Sequence, residues 1–415
     1  MGRCARRPVG GRKRMTDLET YRARAAAWCE SMVAEFGKAA RKGLGVEEDL
    51  ALGRRYQRAK FDAGFAGINW PTKYGGQGLG HIEKISFEAE EMKHGFPNVY
   101  FGISLGMPVP VLMQFGSDRE FVKERVLKAL TGEEIWCQLF SEPSGGTDLA
   151  GLRTRAEPDG NGWKINGQKV WTSWAQYSDY GVIVVRTDPT VPKHKGLTYF
   201  WVDMKAPGVT VRPIKLAGGD SHVNEVFFDD VKVGDDHRMS PVGGGFAVAM
   251  ATLMIERYVA TDSAGFGPHL DLFVDLAKEM KLNGRPAIED GRIRQQIARN
   301  YAMRAGLDSI NMRARLMMQA GMTPGPEGSL GKLVSVRSRQ KLSELALDLQ
   351  GSEAFAFDDH ASPRDDWASS WINAPTGRIA GGSDETLLNT IAEKILGLPQ
   401  DHRPDKGIPF NQIPA

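Results

Sequence analysis

Glu256 and Arg257 interrupt the run "FAVAMATLMIERYVA", residues 246–260, in which everything before them is uncharged. On helical spacing Ala249, Leu253, Glu256 and Ala260 share one stripe, because residues three and four apart are neighbours on a helix. An ionised acid is costly to bury. It is therefore either paired with an arginine from elsewhere in the chain or a carboxylate kept out of water for proton chemistry. A second candidate is "LFSEPSGGTDLAG", residues 139–151, with "GQKVWTSWA" following at residues 167–175. Its Ser, Gly and Thr residues with Asp148 suit a plain connection in a β-domain. Equally, their hydroxyls and amides can hold the polar edge of a ligand on which Trp171 would stack. Asp384 and Glu385 are weaker candidates: they follow Ser383, a good helix N-cap, and acids in a first turn suit the helix dipole without any catalytic duty.

The elements that must position these groups change in texture along the 415 residues. Helical interleaving of charged and apolar residues runs from about 17 to 130, broken by the turn-rich "INWPTKYGGQGLG". Short β-rich runs fill about 135 to 233, where Asn166-Gly167 reads as a tight hairpin turn in a small antiparallel barrel or sandwich. Helical pattern returns from 245 to about 398. Leu342, Leu345, Ala346 and Leu349 mark one core-facing stripe there, and Leu387, Leu388, Ile391 and Ile395 another. The expected division is a basic tail (1–15), a helical domain (16–133), a β-domain (134–240), a helical domain (241–400) and a C-terminal tail (401–415). No strand is followed by a GxGxxG dinucleotide fingerprint.

Composition narrows the function classes. At 41% hydrophobic and 25% charged the chain is ordinary for a globular protein with a sizeable core. The net charge of +2 arises from a 14-residue head with six Arg or Lys; the rest is mildly acidic, which argues against nucleic-acid binding. That head reads as a disordered tail or the product of an upstream start codon, and as a transit peptide only without the usual serines and amphipathic period. The uncharged residues 96–116 contain three prolines and read as broken, buried helix rather than a membrane span. Three cysteines without metal or CxxC spacing point to a reducing compartment, the cytoplasm.

"SEPSGGTDLAGLRTRAE", "INGQKVWTSWA" and "NEVFFDDVKV", in this order within a helical–β–helical chain, resemble the acyl-CoA dehydrogenase family of flavoproteins over about residues 16–398. The resemblance implies an α+β fold: an N-terminal helical domain, a central antiparallel β-domain and a C-terminal four-helix bundle, with FAD between the last two. It implies that Phe140 and Ser141 meet the isoalloxazine ring and that Trp171 and Ser173 flank its other side. Thr147 would lie near the thioester or coenzyme A end of the substrate. Gln350, Gly351, Ser383 and Glu385 would be further cofactor contacts, with Arg257 and Gly381 beside the substrate. The reaction implied is α,β-desaturation of an acyl-CoA, electrons passing to an electron-transferring flavoprotein, in a homo-oligomer (dimer or tetramer) or a mixed one.

The chain departs from the family pattern where the base is expected. The string resembling tyrosine-glutamate-glycine-threonine is here "IAGGSDETLL", with Gly381 at the glutamate position. A minority of the family carries the glutamate on the first bundle helix, one residue before an arginine, and Glu256-Arg257 matches that arrangement. The arginine motif that reaches FAD of a neighbouring subunit is replaced by "EMKLNGRPAIEDGRIRQQ", with Lys281 and Arg285 nearby, and the later glycine-rich string survives only as "LQGSEAF". Glycine at 381 also suits a turn needing positive φ, and its lack of a side chain would widen the pocket for a branched or ring-bearing acyl group. Residues 99–115 either line the acyl pocket or are ordinary core. The alternative to an active dehydrogenase is a non-catalytic or half-site partner subunit; an oxygen-using relative ranks below both.

Overall fold

The computed structural model describes residues 11–116, 120–262, 270–319, 325–355 and 367–413, and only the backbone of 11–16, 255–262, 315, 318–319, 353 and 355. The helices are α1 (Gly11–Phe36), α2 (Val46–Asp62), α3 (His81–Glu91), α4 (Val99–Gly106), α5 (Pro108–Phe115), α6 (Glu120–Leu130), α7 (Gly245–Asp262), α8 (Leu270–Glu279), α9 (Gly291–Gln319), α10 (Gly328–Gln350), α11 (Trp367–Gly377) and α12 (Asp384–Thr390). The strands are β1 (Trp136–Leu139), β2 (Arg155–Asp159), β3 (Gly162–Ser173), β4 (Tyr180–Arg186), β5 (Leu197–Asp203), β6 (Val209–Ile214) and β7 (Val223–Gly234), then the two-residue β8 (Lys281–Leu282) and β9 (Arg285–Pro286). The order is that of an α+β protein: helices, a β-domain, then helices again. Helix α1 already begins at Gly11, so the end of the basic head is helical rather than tail.

Two compact units divide the chain, one of Met1–Gly102 with Asp118–Glu134, the other of Ile103–Ser117 with Ile135–Ala415. In the first, acids crowd the opening turn of α2, and Glu48 accepts from the Gly45 amide at 2.9 Å, which caps a helix end that would otherwise lack partners. Tyr56, Phe65, Phe87 and Phe96 form its core, with stacked ring pairs Tyr56–Phe96 and Phe65–Phe87 both at 4.7 Å. Proline breaks the uncharged stretch as expected: α4 ends at Gly106 and Pro108 opens α5 at a position where its missing N–H costs nothing. Among the described residues no helix is long and apolar enough to cross a membrane.

In the second unit β1 to β7 form one sheet in the order β1-β4-β2-β3-β7-β6, with β5 on the other side of β4. The pairings are antiparallel except that β1 and β2 both run parallel to β4. Asn166-Gly167 corrects the sequence reading. Strand β3 runs straight through it, Ile165 pairing with Val231 and Gly167 with Phe228 across a register shift, so the dipeptide is a β-bulge. The hairpin lies earlier, between Asp159 and Gly162, with Gly160 at φ 60°. Gly167 is required for another reason: a Cβ there would come within 2.5 Å of Thr154 Oγ1.

Helix α10 packs against α7, α8, α9, α11 and α12 and is the axis of the C-terminal helical domain. Leu342, Ala346 and Leu349 are buried on it, and Leu345 packs beside them, as the spacing predicts. The second stripe is corrected: only Leu387 is buried, while Leu388 and Ile395 are exposed. The last turn there winds as a π-helix (Ile391–Ile395), whose greater number of residues per turn takes Ile395 off the stripe, while Leu388 already lies off the buried face beside Leu387.

Candidate active site

Strand β1 ends in the loop 140–151, and buried charge fixes its start. Glu142 accepts from the amides of Arg153 (2.6 Å) and Thr154 (3.0 Å) and from Lys169 Nζ (2.7 Å), whose side chain is 0% exposed. Burial works against the Glu142 carboxylate, but Lys169 and these donors outweigh it and hold the carboxyl below its usual range. Lys169 also donates to Phe140 O at 3.0 Å, and the Val170 amide donates to Ser141 O at 2.8 Å. The two signature strings are thereby laced together at this corner of the sheet: Phe140 and Ser141 lie alongside Lys169 and Val170, and Trp171 and Ser173 follow on β3.

A second register shift falls between Lys169 and Thr172, and there Trp171, 58% exposed, takes φ 61°. A bulky residue in the left-handed region costs ~1–2 kcal/mol, and strain of this kind collects at functional sites. Next to it Thr172 Oγ1 is buried without a hydrogen-bond partner, and such a group calls for a ligand or water. The exposed aromatic face of Trp171 is a surface on which an isoalloxazine ring could stack.

Helix α7 is fastened to the same corner. Thr252 Oγ1 lies 3.2 Å from the buried Tyr199 hydroxyl of β5, and the Tyr199 ring meets the Phe140 ring edge-on at 5.9 Å. Glu256 stands one helical turn after Thr252, with Arg257 following. The side chains of Glu256 and Arg257 lie outside the described residues. Helix α5 packs on α7 and on β1 and completes the wall.

The second candidate place for an acid is a turn. Gly381 and Gly382 take φ 67° and 101°, the backbone for which glycine is suited. Lys332, 2% exposed on α10, donates to Ala380 O and to Gly382 O. Ser383 caps α12, its Oγ accepting from the Thr386 amide at 3.4 Å. The buried Asp384 accepts from Arg378 (2.6 Å) and Arg337 (3.0 Å), which overcome the cost of burial and hold its carboxyl below its usual range. Glu385 is exposed. Gln350 and Gly351 close α10. Among the described residues no hydrogen bond joins Gln350, Gly351 or Glu385 to the β1–β3 corner.

Thr147, farther along the loop, lines a cavity of about 410 Å³ with Asp148, Lys193 and the tail residues Arg403, Asp405 and Lys406. Sequence reasoning missed Lys169, Arg186, Lys332 and the docked tail. Only Lys169 gave a signal, a charge opposite Glu142 within the two signature strings.

A helical, β, helical order along the chain, with an exposed Trp171 at a bulge of the sheet, is the order of a flavoprotein dehydrogenase. Three family descriptions match in succession: acyl-CoA dehydrogenase N-terminal domain at residues 16–134, middle domain at 137–231 and C-terminal domain at 243–396. Acyl-CoA dehydrogenase IpdE1 of Mycobacterium tuberculosis is 34% identical over 396 residues, 93% of this chain and 99% of its own. Acyl-CoA dehydrogenase FadE34 of the same organism is 34% identical over 346 residues, 83% of this chain but 46% of the relative. Among solved structures, a variant of the "Tcur3481-Tcur3483 steroid ACAD" superposes with a TM-score of 0.77 at 25% identity, covering 93% of this chain and all of the other. An acyl-CoA dehydrogenase from Geobacillus kaustophilus gives the same TM-score at 23% identity, with 94% and 99% covered, and speaks for the fold. The chain belongs to the acyl-CoA dehydrogenase family: it is an oxidoreductase of lipid degradation whose cofactor is FAD.

Proposed function

We propose that this chain removes the α- and β-hydrogens of a bulky, ring-bearing acyl-CoA, with Glu256 as the base that takes the α-proton. The observation that carries the assignment is the contrast between the two candidate places for an acid. Position 381 has no carboxylate, and its turn is committed to positive φ and to the buried Lys332. Glu256 stands on a helix tied through Thr252 and Tyr199 to Phe140. FAD, when bound, supplies the acceptor for the β-hydride. Phe140, Ser141, Trp171 and Ser173 hold the ring, and a base kept from water is the more effective. Arg257 follows Glu256 on the same helix. Glycine at 381 leaves room for a wide acyl group, in keeping with the similarity to a structure called a steroid ACAD.

The test is anaerobic titration of purified wild type and Glu256→Gln with straight, branched and steroidal acyl-CoAs, followed by flavin absorbance. Wild type is expected to bleach fastest with ring-bearing thioesters, and the variant to react about 10²–10⁴-fold more slowly. Equal bleaching of the variant moves the base elsewhere; a clear preference for short straight chains sinks the bulky substrate. Electrons are then expected to pass to an electron-transferring flavoprotein.

A second reading, a half-site subunit of a mixed oligomer, is favoured by the altered strings around Lys281 and Gln350 and by the two-protein name of the similar structure. It requires protein purified alone to be colourless and to become yellow on co-expression with a partner.

A further inference from the structure

The loop 140–151 is held from two sides. Its first residues are fixed from within the sheet by Lys169 and the Val170 amide. Its later residues are fixed by two other cations. Arg186, buried, donates to Ala150 O (2.6 Å) and Leu152 O (3.1 Å), and Lys193 Nζ lies between Asp148 Oδ2 (2.7 Å) and Asp405 Oδ2 (2.5 Å). Both cations meet the C-terminal tail. The Phe410 ring lies 3.5 Å from Arg186 Cζ, a close cation–π contact with a desolvated guanidinium, and Asp405 is the second carboxylate on Lys193. Backbone bonds seat the tail: Phe410 N to Val191 O and Asn411 N to Pro189 O, both 3.0 Å, with Pro409 bridging Pro192. Loop and tail together line the cavity at Thr147.

We propose that residues 401–413 are a positioning element of the substrate site: Phe410 and Asp405, acting through Arg186 and Lys193, hold Thr147 and Asp148 where the coenzyme A arm enters. The proposal rests on the reading that Thr147 lies at the thioester end. It makes the tail selective in what it controls. Phe140 and Ser141 are fixed by Lys169 and Val170 without the tail, so the flavin corner stays put when the tail is loosened. Thr147 and Asp148 do not. Loss of the tail's grip therefore weakens binding of the thioester carrier while the cofactor and the chemical step are kept.

The experiment uses the FAD-loaded protein, with coenzyme A itself as the calorimetric probe and steady-state kinetics alongside. Phe410→Ala and Asp405→Asn are each expected to weaken coenzyme A binding about tenfold and to raise KM in step, with kcat within about twofold and the flavin spectrum unchanged. Phe410→Tyr, which keeps an aromatic face on Arg186, restores wild-type binding. Wild-type affinity in both variants overturns the proposal. So does parallel loss of flavin and coenzyme A, which would make the tail a general support. Wild-type protein that binds no coenzyme A overturns the underlying reading of the site, a different result from binding that the variants leave untouched.

Discussion

Two buried lysines clamp two loops of this molecule, and they do so with opposite consequences. Lys169 grips the carbonyl of Phe140 and shares its charge with Glu142, leaving a polar corner rigid and open beside Trp171. Lys332 grips the carbonyls of Ala380 and Gly382 and closes the turn at Gly381, where the chain carries no acid. The first clamp holds a loop beside the exposed Trp171; the second holds a turn built of positive-φ glycines. On the proposed reading the base can stand on α7 without any change at the Phe140 loop, because Lys169 anchors that loop from inside the sheet.

The sharpest way to break this comparison is to put the acid back. Gly381→Glu in a Glu256→Gln background is expected to stay at the roughly 10²–10⁴-fold deficit of the single variant. A glutamate at φ 67° is strained by ~1–2 kcal/mol, and its carboxylate would arrive beside the Lys332 ammonium and pair with it rather than take a proton. Recovery of flavin bleaching in the double variant would show that the turn still serves as a platform for a base.

Lys169→Met tests the other half. It leaves the Glu142 carboxylate buried without its cation, and removal of one partner of a buried pair costs about 3–5 kcal/mol. Chemical unfolding of the apoprotein measures it. Glu142→Gln with Lys169→Met should recover part of the loss; a double variant as unstable as the single would mean that shape rather than charge is what Lys169 supplies.

The uneven legibility of these two sites has a physical cause. Glu142 and Lys169 sit inside the strings that made the flavin corner recognisable, since both are bound to the backbone they stabilise. Lys332 lies about fifty residues from the turn it pins and on a helix whose spacing shows only its apolar stripe, so no local pattern announces it. Asn-Gly pairs teach the same lesson. Asn283-Gly284 does form a two-residue hairpin turn between β8 and β9, both residues at positive φ, because no other strand competes for the flanking residues. Asn166-Gly167 carries the same signal, but β7 pairs along both sides of it, and Asn166 is held by Asp230 at 2.9 Å, so sheet pairing overrides turn chemistry. The tail was invisible for a similar reason: it has no period of its own, and its partners Arg186 and Lys193 lie more than 200 residues earlier.

Acid separates the two sites next. Glu142 and Asp384 both have folded pKa values held below their ordinary 4.5 and 3.8. Each therefore contributes stability that is fully present above those values and is lost as pH falls through the lower, folded ones. Asp384→Asn removes the anchor for Arg337 and Arg378 and should cost about 1–3 kcal/mol at neutral pH, with a shallower acid limb in the pH–stability curve. An unchanged acid limb would show that Asp384 does not shape it and leave it to Glu142 and the other carboxylates.

The smallest effect is the most discriminating for the open corner. Truncating a core aromatic costs about 3–5 kcal/mol, but Trp171 is exposed and strained, so Trp171→Gly should change apoprotein stability by less than ~1 kcal/mol. Relief of the left-handed backbone and the added freedom of glycine in the unfolded chain nearly cancel. FAD affinity should fall several-fold in the same variant, the weight of one ring-stacking contact of ~0.5–1.5 kcal/mol. A large drop in apoprotein melting temperature would make Trp171 a packing residue, and the strained bulge would then belong to the fold rather than to the flavin.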